Sequence, residues 1–376
     1  MMSTMDPCPS YWLEYSNLQH TKHQLIREYL NGWFPKLGYS HSRVVYVDTH
    51  AGRGRHLQGQ LGSPLVALQT LLQHKDRPRL LERCKVVFFF IERDETNFCE
   101  LRSEIKQLGN LPAKIVVNTS CKDCFKVLHD VVTSLRHAGQ EMAPAFVFVD
   151  PYGFKIPGRV LRELMEFPRV ELFVNIIWRE LDMAIRQERL RTKRSGMADT
   201  LDSIFDGSEW KDRVSSDDFD ERANQAINLL REKIGAKWVT HIRMLGDNDV
   251  TRYLLMHLTN HDAGRDLMKA CMWKVCPDGG FYVRKTDDPA QQFLITPEPD
   301  LGPLAEWLRC RLSAGPRRWK ELIAEVREQV WLPTHLNKVI RELRRKKELV
   351  ADDYRGRFDP INNPRLSLRV GEARGR

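Results

Sequence analysis

Residues Arg43–Gly54 read RVVYVDTHAGRG. An apolar run closes on an acid, Asp48, and passes at once into Ala51-Gly52-Arg53-Gly54. A run without alternation predicts a strand buried on both faces. Glycines directly after such a strand let the backbone pass close to a nucleotide-like ligand at the carboxyl edge of a parallel sheet. The third glycine of a dinucleotide fingerprint is absent: Leu57 stands in its place and Gly59 comes later. A carboxylate at Asp48 repels a pyrophosphate and suits a cationic ligand, such as the aminoacyl end of S-adenosylmethionine.

Working outward, apolar runs alternate with helical patterns. Strands are predicted at Lys85–Ile91, Lys114–Val117, Ala145–Val149 and Val170–Ile177. Helices are predicted at Leu65–Leu72, Asn97–Leu108, Phe125–Arg136 and Val160–Glu166, with an amphipathic helix, Thr21–Leu37, ahead of them all. This rhythm predicts an α/β fold with a doubly wound, Rossmann-like sheet of the class I methyltransferase type. Leu181–Gly235 breaks the rhythm and is expected to be an inserted helical cap carrying Arg186, Arg189, Arg191, Lys193 and Arg194. Two strands, Lys237–Met244 and Arg252–Thr259, and a helix, Asp262–Lys274, should follow. Pro277–Pro299 is expected to be a connector.

Glu92 closes the second strand, where a carboxylate can accept both ribose hydroxyl hydrogens. Asp123 follows the third and is placed to hold the adenine amine. The fourth ends in Asp150-Pro151-Tyr152-Gly153. There a side-chain carboxylate and the carbonyl before the proline can accept two hydrogens from an exocyclic amine, and an aromatic offers a stacking surface to a flipped base. Asp150 and Tyr152 are therefore the candidate catalytic pair. Asp48, Ala51, Gly52, Gly54, Glu92 and Asp123 are the candidate cofactor residues. A tight turn in which Asp150 caps the next helix is the alternative. Ser63 is expected as the N-cap of the helix after the glycine loop. Lys22 and His23 lie where they could line the cofactor mouth, but positions on the helix surface are expected for them. For Cys121-Lys122-Asp123-Cys124, buried thiols are expected rather than a metal site.

The net charge of +9 is unevenly distributed. The last 76 residues hold 18 Lys+Arg against 10 Asp+Glu, and the rest of the chain 41 against 40. Three short apolar-faced helices and a hairpin over Leu301–Arg376, with Arg357–Phe358 in the second hairpin strand, predict a winged helix-turn-helix, which separates a second domain, 301–376, from a first, 1–300. Arg317, Arg318, Lys338, Arg341, Arg344, Arg345, Lys346 and Lys347 are its candidate nucleic-acid contacts, and its outward face also carries His335 and Asn337. The first residues lack a basic segment followed by an apolar core, and no apolar run approaches the ~18 residues of a membrane span. Eight cysteines in a chain of 376 residues fit reduced thiols, so a cytoplasmic setting is expected.

TKHQLIREYLNGW, VDTHAGRGR, GSPLVAL, FIERD, KDCFKVL, FVDPYGFKIP and LMKACMWKV occur in this order. Together they resemble the three-Cys-motif partner protein family over most of Tyr11–Val275. The resemblance implies a class I methyltransferase-like domain and a radical-enzyme-like partner protein with three clustered cysteines. It places Asp48, Gly52, Gly54, Glu92, Asp123, Asp150 and Tyr152 on the matching motif positions, with His50 where that family often has Phe. Three functions are consistent with the sequence. The first is an S-adenosylmethionine-dependent methyltransferase acting on nucleic acid at a base amine. The second is a non-catalytic nucleic-acid-binding adaptor that senses the cofactor. The third, a nuclease using Asp48, Glu92, Asp123 and Asp150 as metal ligands, fits a nucleotide crevice less well.

Overall fold

Apolar runs without alternation become the central strands. The computed structural model describes residues 15–277, 280–287 and 298–369. These divide between two compact units: 15–275 with 281–287, and 298–369 with 276–277 and 280.

In the first unit the strands are β1 (Arg43–Asp48), β2 (Lys85–Ile91), β3 (Ile115–Ser120), β4 (Ala145–Val149), β5 (Val170–Ile177), β6 (Trp238–Leu245), β7 (Thr251–Thr259) and β8 (Tyr282–Arg284). They form one eight-stranded sheet in the order β3-β2-β1-β4-β5-β7-β6-β8. β1 to β5 are parallel, whereas β7 runs antiparallel between β5 and β6. The chain reverses its winding between β1 and β4, and such a switch point leaves a crevice outside the carboxyl ends of those two strands. Asp48 ends β1 and Asp150 directly follows β4, so both stand at that place.

The helices are α1 (Asn17–Gly38), α2 (Ser63–Leu72), α3 (Arg77–Arg83), α4 (Glu95–Gln107), α5 (Cys124–His137), α6 (Gly158–Met165), α7 (Trp178–Arg189), α8 (Gly196–Phe205), α9 (Trp210–Arg213), α10 (Phe219–Ile234) and α11 (Asp262–Val275). α1 starts at Asn17, four residues before the expected start, on a capping box at Ser16. Its rings stack onto one sheet face: Tyr29 lies 5.0 Å from Phe146, and Phe34 lies 6.1 Å from Phe88. Tyr29 also reaches Glu171 near the start of β5, while Lys22, two turns earlier, lies over Phe148 near the end of β4. The helix thus crosses the whole sheet, and its first turns lie at the carboxyl edge.

Two expectations for this unit are corrected. The segment 181–235 is not a cap on the site. Its helices share one apolar core with β4, β5 and β7 through Leu181, Ile185, Leu201, Phe205, Ile227 and Leu230. Burial on that sheet face explains why its apolar positions recur at helical spacing between charges. Asp182 on α7 and Arg222 on α10 lock it with two buried bonds of 2.5 and 3.1 Å. The expected connector contains β8, which pairs with β6, and the rest of it lies partly outside the described residues.

The second unit has helices α12 (Gly302–Ser313), α13 (Trp319–Arg327) and α14 (Pro333–Arg345) and strands β9 (Arg317–Arg318), β10 (Leu349–Asp352) and β11 (Arg365–Leu368), in the order β10-β11-β9. This is a winged helix. Leu304, Leu308, Trp319, Leu322, Leu336, Ile340, Leu343 and Leu366 form its core. The hairpin is longer than expected: Arg357 and Phe358 fall in the loop between β10 and β11, not in a strand. Phe358 is buried, so its apolar character came from core packing rather than strand pairing. Among the described residues no helix is long and apolar enough to cross a membrane.

Candidate active site and nucleic-acid interface

The glycine loop closes back on the strand ends. Ala51 donates its N–H to Ile91 O at 2.9 Å, and Gly62 donates to Gly54 O at 2.7 Å. Gly52 and Gly54 lie at φ +60° and +84°, where a side chain is strained, and a Cβ on Gly54 would crowd Leu101 at 3.1 Å. The Glu92 carboxylate fastens the loop: Oε2 accepts from Gly52 N at 2.7 Å and Oε1 from Asp94 N at 2.8 Å. Glu92 is half-buried, and each carboxylate oxygen can accept more than one hydrogen. Asp123 is exposed and caps α5 by accepting from Lys126 N at 3.0 Å.

Asp48 is fully buried. It accepts from His50 N at 3.3 Å, from the Tyr46 hydroxyl at 3.4 Å and from the Ser63 side chain. Burial pushes its pKa up to about 7, and the nearby Asp150 carboxylate adds to the rise. The Ser63 and His50 donors and the Lys22 charge pull the other way. Ser63 is therefore not the N-cap of α2. Gly62 takes that place without a side-chain bond, and Ser63, the first helical residue, turns its hydroxyl to Asp48.

His50 joins the loop to α5. Its Nδ1 bonds Thr49 Oγ1 at 2.7 Å and its Nε2 lies 3.5 Å from Cys124 Sγ. Burial lowers its pKa to about 4, so the ring is neutral at pH 7. The CxxC pair is split between an exposed Cys121 and a buried Cys124, and the described residues hold no cluster suited to a metal ion.

Asp150 does not face the crevice as a free acceptor. Its Oδ2 is ion-paired with Lys22 Nζ and its Oδ1 accepts from Asn175 Nδ2 at 2.7 Å. Lys22 and His23 are both buried, against the expectation of a helix surface. Lys22 stands three, four and seven residues before Leu25, Ile26 and Tyr29, so the apolar stripe itself puts it on the inward face. That phase was the signal for Lys22. Asn175, in the middle of an apolar strand, left a weaker one: a polar residue buried in a sheet must have a partner. Tyr152 projects into solvent at 92% exposure.

Asp48, Glu92 and Asp150 thus meet at one sheet edge through the loop and the β1–β4 register, where Asp48 pairs with Phe148. The arrangement combines a backbone cradle, one partly open carboxylate, one buried carboxylate that titrates near neutrality, and a carboxylate held by an ammonium and an amide.

In the winged helix the eight candidate cations differ. Lys338 is paired with Glu298 at 2.6 Å and Lys346 with Glu342 at 2.8 Å. Arg318 bonds Asn363 O at 3.2 Å and reaches Asp353 at 3.4 Å. Arg344 lies 4.0 Å from the Tyr354 ring and braces the wing. Arg317, Arg341, Arg345 and Lys347 are exposed, with no ion pair among the described residues. Arg317 is in β9. Asn337, expected to face outward, accepts from Trp319 Nε1 at 2.8 Å, and His335 is packed against Trp331.

Residues 282–355 match the family model described as GMT-like wHTH domain. No curated protein matches the chain. Among solved structures, a Legionella pneumophila protein of the DUF519 family is 14% identical with a TM-score of 0.35, over 63% of this chain and 85% of its own. The small RNA methyltransferase HEN1 is 12% identical with a TM-score of 0.32, over 70% of this chain and 28% of its own. The methyltransferase domain of a bacterial Hen1 is 12% identical with a TM-score of 0.31, over 62% of this chain and 99% of its own. At such identities these likenesses carry nothing about what this chain acts on. The fold is a mostly parallel sheet of the class I methyltransferase kind, joined to a winged helix.

Proposed function

We propose that the chain is an S-adenosylmethionine-dependent methyltransferase acting on nucleic acid at a base amine, in company with a radical-enzyme-like partner protein with three clustered cysteines. The observation that carries the enzymatic reading is the pairing of Asp48 and Asp150 at the switch point of the sheet, with Glu92 at the end of the neighbouring β2 fastening the glycine loop. The residues fit such a cofactor. Gly52 and Gly54 permit the positive-φ turns that bring the loop backbone back over the strand ends, and the half-buried Glu92 keeps acceptor capacity for ribose hydroxyls. Asp123 stands ready for an adenine amine, and Ala51 holds the loop to β2. The buried Asp48 favours a cation nearby, because a positive charge relieves the cost of its ionisation. S-adenosylmethionine, when bound, supplies the methyl group.

Asp150 and Tyr152 orient the acceptor. A base stacks on the exposed Tyr152 ring. Its amine takes the place of Lys22 on Asp150, and the carboxylate accepts the amine hydrogens. DPYG differs from the D-P-P-Y pattern of amino-methyltransferases in lacking the second proline: Tyr152 stands in its place, and Gly153, at φ +114°, follows. The uncommitted winged-helix cations, Arg317, Arg341, Arg345 and Lys347, contact phosphates.

One observation favours a second reading, an adaptor that binds nucleic acid and senses the cofactor: both Asp150 oxygens already have partners within the chain. Calorimetric titration with S-adenosylmethionine and with NAD tests the first reading, and binding to neither removes it. Binding without methyl transfer to DNA or RNA, even with the partner present, supports the adaptor.

A further inference from the structure

The face of α7 that the core leaves uncovered has its own pattern. Arg179, Met183, Arg186 and Leu190 are spaced 4, 3 and 4 residues apart, so at 100° per residue they form one narrow stripe. All four are exposed, Met183 to 55% and Leu190 to 87%. The opposite face, with Leu181, Ala184 and Ile185, is in the core. Isolated exposed apolar residues need no explanation, but two large ones interleaved with two cations on one line do.

Three other cations of this basic segment are engaged. Arg189 donates to Ser215 O at 3.0 Å, Arg191 pairs with Glu188 at 3.2 Å, and Arg194 holds Asp199 and Asp202. Arg179, Arg186 and Lys193 have no ion pair among the described residues. The stripe also begins at the candidate site. α7 follows directly from the carboxyl end of β5, which neighbours β4, and Asn175 of β5 holds Asp150.

We infer that this stripe is a track for an unpaired strand of nucleic acid leading away from the acceptor position, with Arg179 and Arg186 on phosphates and Met183 and Leu190 against bases. The inference rests on the nucleic-acid part of the proposal above and narrows its substrate to single-stranded or looped nucleic acid. A duplex turns its phosphates and sugars outward, and apolar side chains between cations give those groups nothing. An unpaired strand offers base faces as well as phosphates. The stripe runs about 16 Å along the helix, room for a few nucleotides.

The test uses the full chain and a labelled single strand of about 15 nucleotides, as RNA and as DNA, beside the duplex of the same sequence, read by fluorescence polarisation over a salt series. Met183→Gln with Leu190→Gln keeps charge and helix propensity. Loss of partial apolar burial at the two side chains should weaken single-strand binding roughly tenfold, with the salt slope and duplex affinity unchanged. Arg179→Ala with Arg186→Ala should lower the single-strand slope of log K against log salt by ~1.4, at ~0.7 per phosphate contact. Unchanged single-strand affinity in both variants overturns the inference and assigns the stripe to a protein or a lipid surface. Equal weakening of single strand and duplex also overturns it. If the unmodified chain binds neither, the nucleic-acid reading falls and the track with it. S-adenosylmethionine titration of the same variants should match the unmodified chain, which keeps the cofactor reading separate.

Discussion

Replacing Asp48 by Asn should make the first unit more stable at neutral pH while weakening its hold on a cationic ligand. Asn is isosteric: its oxygen can keep the His50 N–H bond and its amide can donate to the Tyr46 hydroxyl that now donates to the carboxylate, so the substitution chiefly removes the charge. In the unfolded chain Asp48 ionises near the ordinary carboxylate value of 3.8, and in the fold near 7, chiefly through burial. The sign follows from proton uptake: the folded state binds the proton more tightly. The group's contribution to stability is therefore complete below pH ~4, declines as pH rises, and is lost once pH passes ~7. At about 1.4 kcal/mol per pH unit, Asp48 should reduce stability relative to Asn by about 1.5 kcal/mol at pH 5 and by about 4 kcal/mol at pH 8. Urea unfolding of both forms at the two pH values, followed by signals of the first unit, measures the gap. A gap that stays constant between pH 5 and pH 8, or a less stable Asn form at pH 8, refutes the reasoning. The same carboxylate should favour S-adenosylmethionine. Calorimetry in buffers of different ionisation enthalpy should show proton release on binding at pH 6, absent in Asp48→Asn.

Lys22→Met leaves Asp150 in a largely closed site without its cation and should cost about 3 kcal/mol. Adding Asp150→Asn should restore most of that, and additive losses in denaturant melts would mean the pair is not coupled. Glu171→Gln tests the other sheet edge. Burial alone would raise the Glu171 pKa, but bonds from His257, Tyr29 and Trp33 outweigh it and hold it below the usual carboxylate value. Its stabilising effect is present above the unfolded value of 4.5 and lost as pH falls, so the stability gap to the Gln variant, about 2 kcal/mol at pH 7, should shrink in acid; a gap that widens in acid contradicts the assignment. In the winged helix, Arg341→Ala with Arg345→Ala should lower the duplex salt slope by ~1.8, whereas Lys338→Ala should change it little, because Lys338 is already paired with Glu298. Equal slopes for the three forms would remove α14 as the phosphate-binding element.

Much of this architecture was legible because burial on two faces leaves a mark that needs no tertiary knowledge. VVFFFI and AFVFV have one stable place in a globular domain, the centre of a parallel sheet. Acids and glycines at the ends of such runs then point to the sheet's carboxyl edge. The winged helix was legible from three apolar stripes and a local excess of charge. Phe358 misled because a buried wing residue and a strand residue carry the same apolar signature. The segment 181–235 misled because charge on its outer face concealed how much of its inner face covers the sheet.

Arg43–Asp48 and its sister strands, the glycine loop, Glu92 and the acid after β4 were determined by the order of residues along the chain, since each rests on local periodicity or on a strand terminus. Tertiary structure alone decided the charge state of the site. It carried Lys22 across the sheet to Asp150 from 128 residues away, sealed Asp48 from water, and engaged some basic side chains while leaving Arg179, Arg186, Arg341 and Arg345 exposed. The reason is physical: periodicity sets which way a side chain faces, but ion pairs and pKa values depend on distance and desolvation, which exist only after distant segments have packed.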